Sequence, residues 1–310
     1  MRVFLAGATG ALGRSLVPLL VQAGHEVTGT TRSESKIAEL RAAGAEGAVM
    51  DGLDAASVQA AVRAARPDVV VHQQTALGDG MGDLKRIDKG FHATNLLRTE
   101  GTDHLLAAAL EAGATRFVAQ SYTGWPNARI GGPVKTEDEP LASPPPTGAV
   151  EALRAIQYVE QATTGTSGID GLALRYGSFY GHGTGLTGDV ADLLRKRRLP
   201  IVGGGTAVWS ILHIDDAARA TLAAIEGGAP GVYNIVDDDP APAADVLTTL
   251  AAAIGAKKPL RLPARLARPL IGEFGVTFMT ALRGSSNAKA RRELGWKPEH
   301  ASWRQGFYER

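Results

Sequence analysis

The chain of 310 residues contains no cysteine. That excludes disulfides, thiolate nucleophiles, iron–sulfur clusters and Cys-ligated zinc. It lacks a charge imbalance as well: 33 Lys and Arg face 32 Asp and Glu, a formal net charge of +1. A broad electrostatic surface for nucleic acid is not expected on that balance. Long apolar runs are absent too. The longest stretch without a formal charge, Leu199–Ile214, has 16 residues and includes one Pro and three Gly, so nothing is expected to span a bilayer. Met1-Arg2-Val3-Phe4-Leu5-Ala6-Gly7 reads directly as a strand, without the charged-then-apolar layout of a signal peptide. A cytoplasmic protein with no membrane partner is the expectation. The 7 His show no metal-ligand spacing such as H-x-x-x-H, so no metal is expected.

What is present is an ordinary globular composition, 44% hydrophobic and 21% charged. The length suits one large α/β domain with an elaborated C-terminal part. In the first half, short β-branched runs alternate with helical periodicity. The pattern predicts strands at Val3–Ala6, Glu26–Thr30, Gly47–Met50, Val69–His72 and Arg116–Gln120. Helices are predicted at Gly10–Ala23, Ser35–Gly44, Ala56–Arg66 and Thr94–Ala112. Strands separated by helices at this spacing imply right-handed βαβ units and a parallel sheet. The second half is less regular. Helices are expected at Val150–Ala162, Val190–Arg198, Asp216–Glu226 and Asp245–Ile254, the third capped by Asp215 or Asp216. Strands are expected at Leu172–Arg175 and Gly231–Val236, Gly177–Gly188 reads as a loop, and the tail from Pro259 mixes Pro, Arg and short apolar pieces.

The motif that carries chemistry is Gly7-Ala8-Thr9-Gly10-Ala11-Leu12-Gly13, lying between the first strand and the first helix. In a G-x-x-G-x-x-G turn the first Gly permits the tight bend. The second admits a pyrophosphate to the backbone, and the third allows close helix–strand packing. The helix N-terminus offers unpaired N–H groups to the phosphates. An NAD-binding strand two ends in an acid that holds the ribose 2′-hydroxyl. Here the sequence is Thr30-Thr31-Arg32-Ser33. Arg32, helped by Ser33 and Lys36, suits a 2′-phosphate, so NADP(H) is the expected cofactor. Asp51, followed by Gly52, is placed to meet the adenine amino group.

These residues resemble the extended short-chain dehydrogenase/reductase superfamily, the group that includes nucleotide-sugar epimerases and dehydratases. Further segments carry the same resemblance in order: Gly101-Thr102 with Leu105–Ala109, Arg116-Phe117-Val118, Leu174-Arg175-Tyr176-Gly177 with Tyr180-Gly181-His182-Gly183, Leu212–Ala218, Tyr233-Asn234-Ile235, and Lys289–Pro298. The resemblance implies a Rossmann-type doubly wound parallel sheet with a smaller C-terminal substrate lobe. The dinucleotide-binding part is expected at 1–178 with 206–240 returning to the sheet, and the lobe at 179–205 and 241–310. It also implies a small-molecule substrate, and a homodimer formed through helices near Thr94–Ala112 and Val150–Ala162.

The chain departs from this family at its catalytic pair, Tyr-x-x-x-Lys. Its 6 Tyr are Tyr122, Tyr158, Tyr176, Tyr180, Tyr233 and Tyr308, and none has Lys four residues later. The pair would fall near Ala149 and Leu153, with Arg154 the nearest cation. Tyr122 instead stands in Gln120-Ser121-Tyr122, where the family has a catalytic Ser or Thr. Tyr122 is therefore the candidate proton donor, with Lys135 as a candidate partner. Gln73, Gln74, Ser121, Tyr176 and Gly177 are candidate contacts to the cofactor. Trp125 and Trp209 are candidates to line an apolar pocket, His182 lies near the nicotinamide end, and His213 orders the turn before Asp215. The Arg195–Arg198 run reads as a solvated helix end.

The expectation is an NADPH-dependent reductase of a small carbonyl, imine or activated alkene, working without the Tyr/Lys pair. Two alternatives stand beside it: an NADP(H)-binding redox sensor or regulator without turnover, and a nucleotide-sugar epimerase or dehydratase.

Overall fold

The computed structural model describes residues 1–77, 85, 87–124, 127–142 and 144–308. Seven strands form one sheet: β1 Arg2–Ala6, β2 Glu26–Thr31, β3 Glu46–Val49, β4 Val69–His72, β5 Arg116–Tyr122, β6 Asp170–Tyr176 and β7 Gly231–Ile235. Their spatial order is β3-β2-β1-β4-β5-β6-β7, and every neighbouring pair is parallel. The chain winds outward from β1 to β3, then crosses back to β4 and winds the other way. The reversal leaves a crevice outside the carboxyl ends of β1 and β4, where ligands of such sheets bind.

Strand periodicity sorts the core into two faces. Val3, Leu5, Val69, Val71, Val118, Leu172 and Leu174 face helices α1 Ala11–Gln22 and, later in the chain, Ile214–Glu226. Phe4, Ala6, Val70, Phe117 and Ala119 face α3 Ala55–Ala65 and the helix Glu100–Glu111, with α2 Ile37–Ala42 packed beside β3. A third apolar cluster gathers Leu186, Val190 and Leu194 with Val246, Leu250, Phe274, Phe278, Trp303 and Phe307. It also draws in Ala149, Leu153 and Ile156.

Five local features depart from the expected elements. The long helix expected at Thr94–Ala112 is broken at Thr99 (φ −102°, ψ −87°), giving α4 His92–Arg98 and α5 Glu100–Glu111. The helix at Val150 runs on to Gly165 as α6. Helix α7, Ile214–Glu226, is capped by His213, whose ring accepts the Asp215 N–H, and not by an aspartate. Beyond α8 Ala243–Ala253, a 17-residue helix, α9 Ala264–Thr280, contains Pro269 and is kinked at Gly272 (φ +70°). The loop expected at Gly177–Gly188 contains a short strand, Ser178–Tyr180, paired with Ile211–His213.

Candidate active site

The glycine turn is built by close approach. Gly7 has φ +93°, and a Cβ there would lie 2.9 Å from the backbone of Gln73 at the end of β4. A Cβ on Gly13 would lie 2.3 Å from the Ala8 carbonyl oxygen, so only glycine lets α1 start this close to the strand. The Gly7 N–H donates to Thr30 Oγ1 (3.2 Å), and Thr9 Oγ1 donates to Thr31 Oγ1 (3.5 Å). Gly10 is the N-cap and supplies no side-chain cap. The first-turn N–H groups of Ala11, Leu12 and Gly13 therefore face the crevice at the positive end of the helix dipole.

At the end of β2, Arg32, Ser33 and Lys36 are exposed. The Arg32 guanidinium makes no hydrogen bond or ion pair among the described residues. Ser33 Oγ shares a 2.7 Å hydrogen bond with Ser35 Oγ. Asp51 follows β3, is exposed, and accepts the Leu53 N–H through Oδ1 (3.0 Å). Gly52 lies against the Gln74 side chain, and its carbonyl accepts from His104 Nδ1 (3.2 Å).

Three polar residues close β4. His72 donates from Nε2 to the Leu97 carbonyl (3.0 Å) and accepts the Gln74 N–H at Nδ1 (3.4 Å). Burial pushes its pKa down to about 4, so the ring is neutral. Gln73 and Gln74 are both buried, and the Oε1 atom of each has no hydrogen-bond partner among the described residues. Buried acceptors without donors are uncommon in folded proteins. Here they stand beside the glycine turn, where a dinucleotide would bring hydroxyl and amide donors. The turn, the uncapped helix and these two acceptors fit a nicotinamide dinucleotide.

The structure places several other expected contacts one layer back. Tyr176 is 2% exposed, accepts from Gln73 Nε2 (3.1 Å) and shares a hydrogen bond with Thr221 Oγ1 (2.7 Å). It holds Gln73 rather than facing the crevice, and burial raises its phenol pKa far above the usual range. Ser121 points away to helix α6, donating to Glu160 Oε1 (2.6 Å), and Glu160 also takes a two-pronged contact from Arg175 (2.7 Å each). Gly177 lies against the Ser210 backbone, and its N–H donates to the Ile235 carbonyl (3.0 Å).

Tyr122 ends β5. Its hydroxyl lies 2.6 Å from Ser178 Oγ, on the wall of a small pocket that also includes Thr123, Trp209, Phe278 and Arg283. Trp209 is thus a lining residue, fixed by its Nε1–H on the Phe278 carbonyl (2.8 Å). Trp125 lies outside the described residues. Among the described residues, no hydrogen bond joins Lys135 to Tyr122. Lys135 is 1% exposed, ion-paired with Glu139 (2.7 Å), and donates to the Ile130 carbonyl in its own loop. Near the Family's Tyr/Lys positions, Ala149 and Leu153 are buried in the core and Arg154 is exposed. Tyr158, on the same helix, donates outward to Asp103 (2.7 Å).

The fold gathers His182, His213 and Asp215, whose ligand atoms lie within 4.8 Å of one another. Sequence spacing gave no hint of this cluster. His213 Nδ1 is already engaged as the cap of α7, while His182 Nε2 lies 2.9 Å from Asp215. The sequence reading also missed two buried residues of α4, Asn95 and Arg98. A signal was available: helical spacing sets Arg98 in line with Thr94, Thr102 and Leu105, all of which are buried.

The sheet order, the glycine turn at its switch point and the paired orphan acceptors define a nucleotide-binding α/β protein of the extended short-chain dehydrogenase/reductase type. Residues 3–236 match the model of the "NAD dependent epimerase/dehydratase family", and the chain belongs to that family. A Streptomyces protein named 3-diazoavenalumate denitrifying reductase is 45% identical over 312 residues, spanning 99% of each chain. A 2-alkyl-3-oxoalkanoate reductase of Stenotrophomonas maltophilia is 30% identical, covering 83% of this chain and 77% of its own. In fold, a human epimerase family protein solved with NADPH superposes with a TM-score of 0.77 at 20% identity, covering 100% of this chain and 98% of its own. The chain is an enzyme of the reductase kind, binding a nicotinamide cofactor and acting on a small molecule. Among the described residues, no helix is long and apolar enough to cross a membrane.

Proposed function

We propose that the chain is an NADPH-dependent reductase whose acceptor takes a hydride without needing a proton from a Tyr–Lys pair. The observation that carries this reading is the replacement of that pair by buried apolar residues, Ala149 and Leu153. NADPH is favoured over NADH by Arg32, an exposed and unpaired guanidinium at the end of β2, where an acid would hold a ribose hydroxyl. Gly7, Thr9, Gly10, Ala11, Leu12 and Gly13 would hold the pyrophosphate, Asp51 and Gly52 would border the adenine, and Gln73 and Gln74 would receive donors of the cofactor. When bound, the cofactor supplies the hydride.

The acceptor that best suits a site without the dyad is the diazo group named for the 45% identical relative. An arenediazonium carbon that receives a hydride forms its new C–H bond with the hydride pair. The old C–N pair leaves with dinitrogen, and no proton enters the balance. The work left to the protein is to bind, orient and exclude water. The test is an anaerobic mixture of enzyme, NADPH and an arenediazonium salt, with an enzyme-free control. NADPH oxidation and dinitrogen release in equal amounts, persisting in Tyr122→Phe, are expected.

A second reading keeps a carbonyl, imine or activated alkene as the acceptor, with Tyr122 as the proton donor. It is favoured by the 2.6 Å contact between the Tyr122 hydroxyl and Ser178 on the pocket wall. Turnover of a ketone that is lost in Tyr122→Phe, with none of the diazonium salt, would select it.

A further inference from the structure

Arg98 is the last residue of α4 and is 5% exposed. Asn95, 8% exposed, stands three residues earlier on the same helix face. Among the described residues, Nε and Nη1 of Arg98 and both amide atoms of Asn95 are buried without a hydrogen bond. Arginine presents its donors in a rigid fork and has no acceptor of its own. A buried cation left without a counter-ion is strongly unfavourable. Burial pushes the guanidinium pKa down to about 10, and only Tyr122 and Glu160 act to raise it. Glu160 is already held by Arg175 and Ser121. Among the described residues, no anion is therefore dedicated to Arg98.

Helix α4 lies over the end of β4. The Leu97 carbonyl takes the His72 proton (3.0 Å), and Thr94 Oγ1 accepts the Ala76 N–H (3.1 Å). The unpaired donors of Arg98 and Asn95 thus stand by the carboxyl ends of β4 and β5, within the electrostatic reach of Tyr122. That is the substrate end of the crevice, away from the adenine end at β2 and β3.

We propose that Arg98 and Asn95 form an oxyanion-binding subsite that takes a carboxylate or phenolate oxygen of the organic substrate. The inference rests on the reductase reading and adds the substrate's charge to it. A planar carboxylate matches the guanidinium fork, with the Asn95 amide as a further donor. The subsite also restricts a diazo substrate. A bare diazonium cation would be repelled by the buried guanidinium, so the substrate carries a compensating oxyanion.

The test uses the full-length enzyme saturated with NADP⁺, titrated calorimetrically with benzoate against benzamide and with 4-nitrophenolate against 4-nitroanisole. At least one anion is expected to bind roughly tenfold or more tightly than its neutral counterpart, as charge-assisted hydrogen bonds require. Which anion it is distinguishes a carboxylate from a phenolate. Arg98→Met is expected to abolish the preference. It is also expected to raise the Tm of the ligand-free protein by roughly 2 °C or more, because it removes an unpaired buried charge. A purely structural arginine would lower the Tm on removal. Equal affinity for anion and neutral analogue, no saturable anion binding, or a preference that survives in Arg98→Met would overturn the proposal. If Arg98→Met fails to fold, Asn95→Ala, expected to weaken anion binding, and the wild-type comparison decide. Failure of NADP⁺ itself to bind would overturn the reductase reading and this subsite with it. Binding of NADP⁺ without discrimination among the probes would overturn the subsite alone.

Discussion

On the proposed reading, Arg32 separates cofactor choice from folding. It is exposed and has no partner among the described residues, so Arg32→Ala should leave stability unchanged. Losing one or two charge-assisted contacts to a 2′-phosphate should weaken NADPH binding about 10- to 100-fold, while NADH binding stays as it was. Fluorescence titration of both nucleotides checks this, and an equal loss for both would count against it. His72 gives a pH dependence with a definite sign. Its folded pKa is about 4, against an ordinary value of 6.5. Between those values the unfolded chain binds the extra proton, so stability is full above about pH 6.5 and falls as the pH drops toward 4. Protonated Nδ1 would also point a hydrogen at the Gln74 N–H. Urea midpoints measured across that window should slope less in His72→Gln than in the wild type. At this scale the glycine turn was legible, because close backbone approach leaves a mark in residue type. The isolation of Arg98 was not, since whether a helix buries an arginine without a partner depends on the elements packed around it.

Element boundaries were legible wherever the period was strong. Val69–His72 came out as expected, while β5 and β6 extend beyond their predicted ends. The C-terminal helix α9 was hidden because Pro269 and Gly272 both read as breakers. Pro269 is accommodated within the helix, and Gly272 absorbs the kink with a positive φ. The capping of α7 by His213 was half legible: the turn-ordering role was expected of it, but the cap was assigned to an aspartate. Helix α6 illustrates how an element is fixed to the sheet. Glu160 on α6 pairs with Arg175 on β6 and accepts from Ser121 on β5, with both charged partners almost wholly buried. Breaking such a pair from one side leaves a buried charge unpaired. Glu160→Gln should therefore cost about 3–5 kcal/mol in urea denaturation. A loss under 1 kcal/mol would mean that water reaches the site and the pair is screened.

On the scale of the whole molecule, the sheet and its two helical faces make the crevice, and a third apolar cluster packs the later part of the chain together. That cluster joins residues as distant as Ile87, Ala149, Trp209, Phe274 and Trp303. Such long-range assembly explains why the parallel sheet was readable from alternating elements while the pocket was not. Tyr122, Ser178, Trp209 and Phe278 meet only through tertiary packing.

The central claim is hydride transfer to carbon without a proton from the protein. The direct measurement is isotope tracing under anaerobic conditions, with NADPH deuterated at nicotinamide C4 and an oxyanion-bearing arenediazonium as acceptor. The account predicts one deuterium on the product carbon that lost nitrogen, in wild type and in Tyr122→Phe alike. Product carrying solvent hydrogen at that carbon, or no product in Tyr122→Phe, would contradict it.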